Sequence, residues 1–358
     1  MAQELYENQD FPVLKPLELR EFLLDVTLTS PVFIWGPPGI GKSAIVESVA
    51  EQMGLECVSL LGSQLAPEDV MGIPQISDGR SQFCPPKIIA RDNAYCLFLD
   101  EFNVCSPDVQ KSFYSIIHDR RIADYTLPAG SAIICAGNRP KDVSITRPLS
   151  SALINRLVHV HMETRVDEWM EWAEANNLHF LILQYIREHP EQLWEEPTKD
   201  QTPYSTPRAW HILSNALKRM GSEANRVKVE ALAYGCLSLP HARQFKVEVL
   251  EQAIDQPTIA AIMAGEAQWP NKDKDRGLLI YLAHTFREFL VQELPDNEMG
   301  IMESHSQIIR QGKKIFLDLV KVDPEIARGL LVADGRHKPL PEWFVSNLRE
   351  AIPELANI

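Results

Sequence analysis

The stretch with the clearest chemistry is Gly36-Pro37-Pro38-Gly39-Ile40-Gly41-Lys42-Ser43. Glycines let successive backbone N–H groups turn inward around a polyphosphate, because no Cβ blocks the approach. Lys42 would place a point charge on the outer phosphates, and the Ser43 hydroxyl would be a Mg²⁺ ligand. A second stretch, Leu97-Phe98-Leu99-Asp100-Glu101, ends an apolar run in two carboxylates. Asp100 would hold Mg²⁺ through water, together with Ser43. Glu101 would orient and deprotonate an attacking water. These roles separate because a metal-bound carboxylate is a poor base. A third run, Ser131-Ala132-Ile133-Ile134-Cys135-Ala136-Gly137, ends in Asn138, whose amide can hydrogen-bond the attacking water or the terminal phosphate. Each stretch has a bland reading: a chance glycine turn, a strand ending in a solvated turn, a turn asparagine.

Those residues need elements to hold them. Pro31–Trp35 reads as a buried strand, and Ala44–Met53 as a helix with Ile45, Val49 and Met53 on one face and Gly54 as its stop. Strand, glycine loop and helix are the context a phosphate-binding loop requires, and the helix N-terminus adds partial positive charge. The candidate nucleotide contacts therefore run from Gly36 to Ala44. Tyr95–Asp100 and Ser131–Gly137 read as further buried parallel strands, whose C-terminal ends are where ligands bind. Leu17–Leu24 forms an amphipathic helix ahead of the first strand, and Leu55–Leu61 another strand. Asp78-Gly79 between Gly72–Ile76 and Ser81–Phe83 signals a hairpin, a surface excursion or a device for touching a partner. Ser106-Pro107-Asp108 starts a helix whose stripe of Val109, Phe113, Ile116 and Ile117 is core.

Arg147–Arg156 reads as a short helix leading into the strand Leu157–Met162. His159 and His161 share one face of that strand. Two histidines at that spacing can hold a metal, but no third ligand suggests itself, and a polar strand face is expected. From Arg165 the pattern is helical, with a loop over 188–205. Ser205-Thr206-Pro207-Arg208 then opens a helix and puts a cation in its first turn, a placement that makes sense if an anion lies nearby. Helices follow around Leu278–Leu294, Ile308–Val320 and Pro324–Leu331, and carry no chemical motif.

The chain has 358 residues, 45% hydrophobic and 23% charged, enough for two or three domains. Its net charge of -14 argues against nucleic-acid binding by the chain alone, since phosphate neutralisation needs clustered Lys and Arg. Six cysteines without a CxxC pair read as reduced core thiols. No run of about twenty apolar residues and no signal-peptide pattern is present, so no membrane contact and a cytoplasmic location are expected.

Together these residues resemble the AAA+ ATPases, and within them the MoxR family, chiefly over the first half of the chain. Gly36–Ser43 is similar to Walker A and Leu97–Glu101 to Walker B. Asp100-Glu101-Phe102-Asn103 through Ser106-Pro107-Asp108-Val109-Gln110 is similar to the family signature that follows Walker B. Asn138 matches sensor 1, Arg156 the arginine finger, Arg208 sensor 2, and the hairpin with Leu65–Gly72 the helix-2 insert. Val104 stands where the signature often has Arg, and the strand before sensor 1 runs into Cys-Ala-Gly-Asn-Arg-Pro where many relatives have Ala-Thr-Gln-Asn-Pro. The resemblance implies an α/β P-loop NTPase core of the AAA+ kind over 1–164, a helical lid over 165–250 and a helical C-terminal extension over 251–358. It implies Mg²⁺-dependent ATP hydrolysis in a homo-oligomeric ring, a hexamer. Catalysis would rest on Lys42, Glu101, Asn138 and Arg208, with Arg156 from a neighbouring subunit. Pairing of Arg156 with a local acid such as Asp167 or Glu168 is the plain alternative. The implied role is chaperone-like remodelling or activation of a client, often a von Willebrand factor A domain protein. The rivals are a nucleic-acid motor or GTPase, a metal-chelatase motor subunit, and a non-catalytic nucleotide switch.

Overall fold

The computed structural model describes residues 11–77, 79–139, 142, 147–197, 202–220, 226–250, 259–272, 276–297, 300, 302, 305–332 and 339–352. Asp78, at the expected hairpin turn, lies outside them. The chain divides into two compact units, Met1–Trp169 with Thr206–Arg208, and Met170–Ser205 with Ala209–Ile358.

The first unit is built on a parallel sheet. Its strands are β1 (Val13–Leu14), β2 (Val32–Trp35), β3 (Glu56–Leu61), β6 (Tyr95–Asp100), β9 (Ala132–Gly137) and β10 (Val158–Met162), in spatial order β1-β10-β2-β9-β6-β3. Every residue of β2 and β9 is buried, as is β6 up to Asp100. Parallel strands covered on both faces read as unbroken apolar runs, which is why these three were visible in the sequence. The register pairs Trp35 with Gly137 and Leu99 with Cys135. The residues that follow, Gly36, Asn138 and the Asp100-Glu101 pair, therefore meet at one sheet edge.

Helices flank this sheet. α1 (Pro16–Val26) precedes β2, and α2 (Lys42–Gln52) follows the glycine loop. The buried face of α2 is Lys42, Val46, Val49 and Ala50, not Ile45, Val49 and Met53. The helix begins with Lys42 turned inward, and positions four, seven and eight residues on follow it onto the sheet. After the short α3 (Glu68–Met71), β4 (Ile73–Ser77) and β5 (Arg80–Cys84) form the expected antiparallel hairpin. Ile73 and Ile76 stand 67% and 85% exposed on it. α4 (Pro107–Asp119) starts at Ser106, whose Oγ accepts the Val109 N–H, and it buries the expected stripe. A small hairpin, β7 (Arg121–Ile122) with β8 (Tyr125–Thr126), had no sequence signal. α5 is only Ser151–Ile154, shorter than the expected helix over 147–156. Pro148 biases Arg147 away from helical angles, and Ser150 supplies the N-cap three residues later.

His159 and His161 depart from the polar face expected of them. Phe11 stacks on His159 at 4.8 Å and lies 5.6 Å from His161. Trp35 Nε1 donates to His159 Nδ1 (3.0 Å), and His159 Nε2 bonds the Ile154 carbonyl (3.0 Å). Burial lowers the proton affinity of both rings. His159 is thus a neutral packing histidine, and no group of three metal-ligating side chains occurs among the described residues.

The second unit is helical. It takes most of α6 (Val166–Ala175), then α7 (Phe180–Glu188), α8 (Pro207–Met220, its first two residues in the first unit), α9 (Arg226–Cys236) and α10 (Leu239–Phe245). Tyr185, Trp210 and Phe245 pack together at their centre. The described residues of the expected loop, 188–197 and 202–205, hold structure that their composition does not suggest. They include a 3₁₀ turn, Pro190–Gln192, and buried Gln192 accepts the Tyr185 hydroxyl hydrogen bond at Oε1 while its main-chain carbonyl accepts from Trp210 Nε1. α11 (Ile259–Ala264), α12 (Arg276–Glu293), α13 (His305–Val322), α14 (Pro324–Leu331) and α15 (Glu342–Ala351) close over a core of Phe286, Leu290, Phe316, Leu319 and Phe344. Asp323 caps α14 by accepting from the Glu325 and Ile326 amides.

Candidate functional site

The site lies at the C-terminal edge of β2, β9 and β6. The loop from Gly36 to Gly41 hangs between β2 and α2. Gly39 has φ +80° and Gly41 φ +103°, left-handed values that glycine adopts freely. A Cβ on Gly39 would lie 2.8 Å from Thr206 Oγ1, and the Gly39 carbonyl accepts the Arg208 N–H (3.1 Å). Ile40 is buried and anchors the loop, while Ala44 is exposed in the first turn of α2.

Lys42 is 7% exposed. Its Nζ donates to the Gly36 carbonyl (2.8 Å), the Pro37 carbonyl (2.9 Å) and Asn138 Oδ1 (3.0 Å). Burial lowers its pKa from 10.5 to about 8, against opposing pulls from Asp100 and then Asp142; Arg208 and Arg139 lower it further. Ser43 Oγ donates to Asp100 Oδ2 (2.8 Å). A hydroxyl and a carboxylate at this distance are hard oxygen donors of the kind Mg²⁺ takes, one or two from protein and the rest from water and phosphate. The residues present therefore fit the metal.

Glu101 follows Asp100 in an unusual backbone state, φ 51° and ψ 35°. A non-glycine residue in this region costs of order 1–3 kcal/mol and persists where its surroundings hold it. Two contacts do so here. The Glu101 N–H donates to Asp100 Oδ1 (2.9 Å), and Gly62 at the end of β3 lets the turn come close. A Cβ on Gly62 would meet Cys105 Sγ at 2.5 Å and the Glu101 carbonyl at 2.8 Å.

Asn103 carries a role that the sequence did not assign. It is 1% exposed, its Nδ2 donates to the Asn138 carbonyl (2.8 Å), and its Oδ1 accepts the Asn138 N–H (3.3 Å). Asn103 thus clamps the backbone of Asn138 and fixes the amide that reaches Lys42. Its presence in the motif after the two carboxylates was the available signal.

The structure gathers Lys42, Ser43, Asp100, Glu101 and Asn138 at this edge. Arg208 is exposed, and its field reaches Lys42. Arg156 makes no contact with that group. Its guanidinium lies 4.6 Å over the Tyr114 ring, and Nη1 donates to the Ala152 carbonyl (2.8 Å). Among the described residues no acid pairs with it. Asp167 is taken by Arg165, and Glu168 accepts the Leu17 N–H. The buried Arg156 Nε has no hydrogen-bond partner, so this cation is held by packing and one carbonyl.

Residues 31–157 match the family model described as an AAA domain of the dynein-related subfamily. Midasin of Giardia intestinalis is 26% identical over 176 residues, 46% of this chain and 4% of that protein. The Holliday junction branch migration complex subunit RuvB of Synechococcus sp. is 29% identical over 101 residues, 28% of this chain and 25% of that protein. The chain thus aligns with a quarter or less of these curated relatives. Among solved structures, a RuvB variant of Thermotoga maritima is 14% identical, covers 82% of this chain and 92% of its own, and has a TM-score of 0.38. The parallel sheet with its glycine loop and flanking helices is a P-loop NTPase fold of the AAA+ kind.

Proposed function

We propose that this chain is a Mg²⁺-dependent ATPase that works as a cytoplasmic homo-oligomeric ring, a hexamer, and remodels or activates a client protein in the manner of MoxR proteins. The convergence of Lys42, Ser43, Asp100 and Asn138 behind a left-handed glycine loop carries the reading. The proposed client class is a protein with a von Willebrand factor A domain, and the exposed β4–β5 hairpin is the proposed contact. The six cysteines are free thiols, which suits a reducing compartment.

Mg²⁺, held by Ser43 and by Asp100 through water, would neutralise charge developing on the phosphates. The loop amides and Lys42 cradle the polyphosphate. Asn138 holds the attacking water or the terminal phosphate in line. Glu101, beside Asp100 but not bonded to Ser43, accepts the water's proton. Arg208 adds charge from the same chain and Arg156 from a neighbour. Such positioning and charge stabilisation account for most of phosphoryl-transfer catalysis.

The test is ATP turnover beside ATP affinity in the wild type, Lys42→Ala and Glu101→Gln. Lys42→Ala should lose nucleotide binding with an intact melt. Glu101→Gln should retain binding and lose turnover by ~10²–10⁴. A Glu101→Gln variant with full activity would move the base elsewhere. The RuvB similarity favours a second reading, a nucleic-acid motor, which the net charge of -14 opposes. Turnover that rises several-fold with added DNA would favour that reading.

A further inference from the structure

Arg139 and Asp142 stand beside the phosphate loop and are unused in the mechanism above. Arg139 directly follows Asn138, which holds Lys42. Its Nε and Nη2 donate to the two oxygens of Asp142 at 2.5 and 2.8 Å. The Asp142 side chain is 2% exposed and that of Arg139 24%. The remaining guanidinium nitrogen, Nη1, bonds to no described residue. Both charges are felt at Lys42 and at His161 on β10. The pair is thus within electrostatic reach of both the phosphate-loop lysine and β10.

A carboxylate taken bidentately by an arginine presents the two-oxygen edge that a phosphate presents. A buried carboxylate beside a polyphosphate site otherwise makes little sense, because the ligand arrives with several negative charges. An arginine that keeps this carboxylate through Nε and Nη2 and offers its remaining Nη1 to a phosphate removes that conflict. We propose that Arg139 is a further phosphate-binding residue of this site, contributed in cis, with Asp142 holding its Nε–Nη2 edge and leaving Nη1 for the terminal phosphate of the nucleotide. The proposal rests on the nucleotide-binding reading and adds a cation to it.

The experiment compares ATPγS and ADP binding, with Mg²⁺, to the full-length wild type, Arg139→Ala, Arg139→Lys and the double variant Arg139→Ala/Asp142→Asn. Loss of a charge-assisted hydrogen bond predicts a fall of about ten- to a hundredfold in ATPγS affinity. ADP affinity should change less than about threefold, since ADP lacks the terminal phosphate. Arg139→Lys keeps the charge without the fork and should fall between. The double variant leaves no unpaired buried carboxylate, so it remains informative if Arg139→Ala melts early. Wild-type ATPγS affinity in the double variant would overturn the proposal, because Arg139 would then only neutralise Asp142. Equal losses for ATPγS and ADP would overturn it too. A wild type that binds neither nucleotide would remove the nucleotide reading itself, an outcome distinct from both.

Discussion

Lys42 should make nucleotide binding take up a proton above pH 8. Burial holds this lysine at about 8, against 10.5 in the unfolded chain. The lowering corresponds to about 3 kcal/mol of preference for the neutral form in the folded protein. Between those two values the unfolded chain holds more protons. Lys42 should therefore add up to about 3 kcal/mol to stability as pH rises from about 8 to 10.5, read as the difference between wild type and Lys42→Met, because the buried Cys105, Cys135 and Tyr95, all pushed up by burial, act in the opposite direction. A bound polyphosphate favours the charged amine and reverses the preference. Affinity should be flat below pH 8 and then fall toward tenfold per pH unit. At pH 9 binding should draw in about 0.9 proton, the fraction of Lys42 that is neutral beforehand. Asp100, Asp142, Arg139 and Arg208 are the charges that face Lys42. Isothermal titration calorimetry in two buffers of different ionisation heat reads the proton directly. Constant affinity to pH 10 with no proton uptake would refute the claim that a buried, weakly basic Lys42 receives the phosphates.

Two further predictions concern assembly and client. Arg156→Ala and Glu101→Gln should each be inactive, an arginine finger being worth ~10³–10⁵ in rate. Mixed under conditions of subunit exchange, they should regain turnover where an intact Glu101 meets an intact Arg156; no regain in mixed rings verified by mass spectrometry would end the trans role. Ile76→Ser on the hairpin should leave stability within about 0.5 kcal/mol and basal turnover unchanged, while removing stimulation by a von Willebrand factor A domain protein. Equal loss of basal and stimulated turnover would make the hairpin structural.

The parts of the fold legible in the sequence were those with a period or a cap. β2, β6 and β9 are buried on both faces, so each is an apolar run, and each run ends where a polar residue meets the open edge. Ser106, Asp323 and the proline after each mark helix starts by chemistry that any context preserves. The rest depends on encounters across the chain. Asn103 looks like a turn residue until its amide is seen bracketing the Asn138 backbone. Arg139 and Asp142 sit three apart in a loop, where no periodicity announces a pair. His159 and His161 alternate like a solvated face, yet Phe11 and Trp35 cover them. The left-handed Glu101 has no signal of its own; Gly62, thirty-nine residues earlier, makes room for it.

The strand order also sets a timetable for the growing chain. β2 is complete at Trp35, but its neighbours are β9, beginning at Ala132, and β10, beginning at Val158. At ribosomal rates of about 5–20 residues per second, the Val-Phe-Ile-Trp segment waits some 5–20 s for its first sheet partner. During that time it is a short apolar strand with both edges open, the kind of segment that chaperones cover and that aggregates when they do not. α2 can rest on the β3–β6 pair once Asp100 is made, but the glycine loop, at the end of β2, has no neighbouring strand until β9 arrives. Parallel pairings at such sequence separation are intrinsically slow to close, so the phosphate loop, an early part of this unit to be made, is among the last to take its shape.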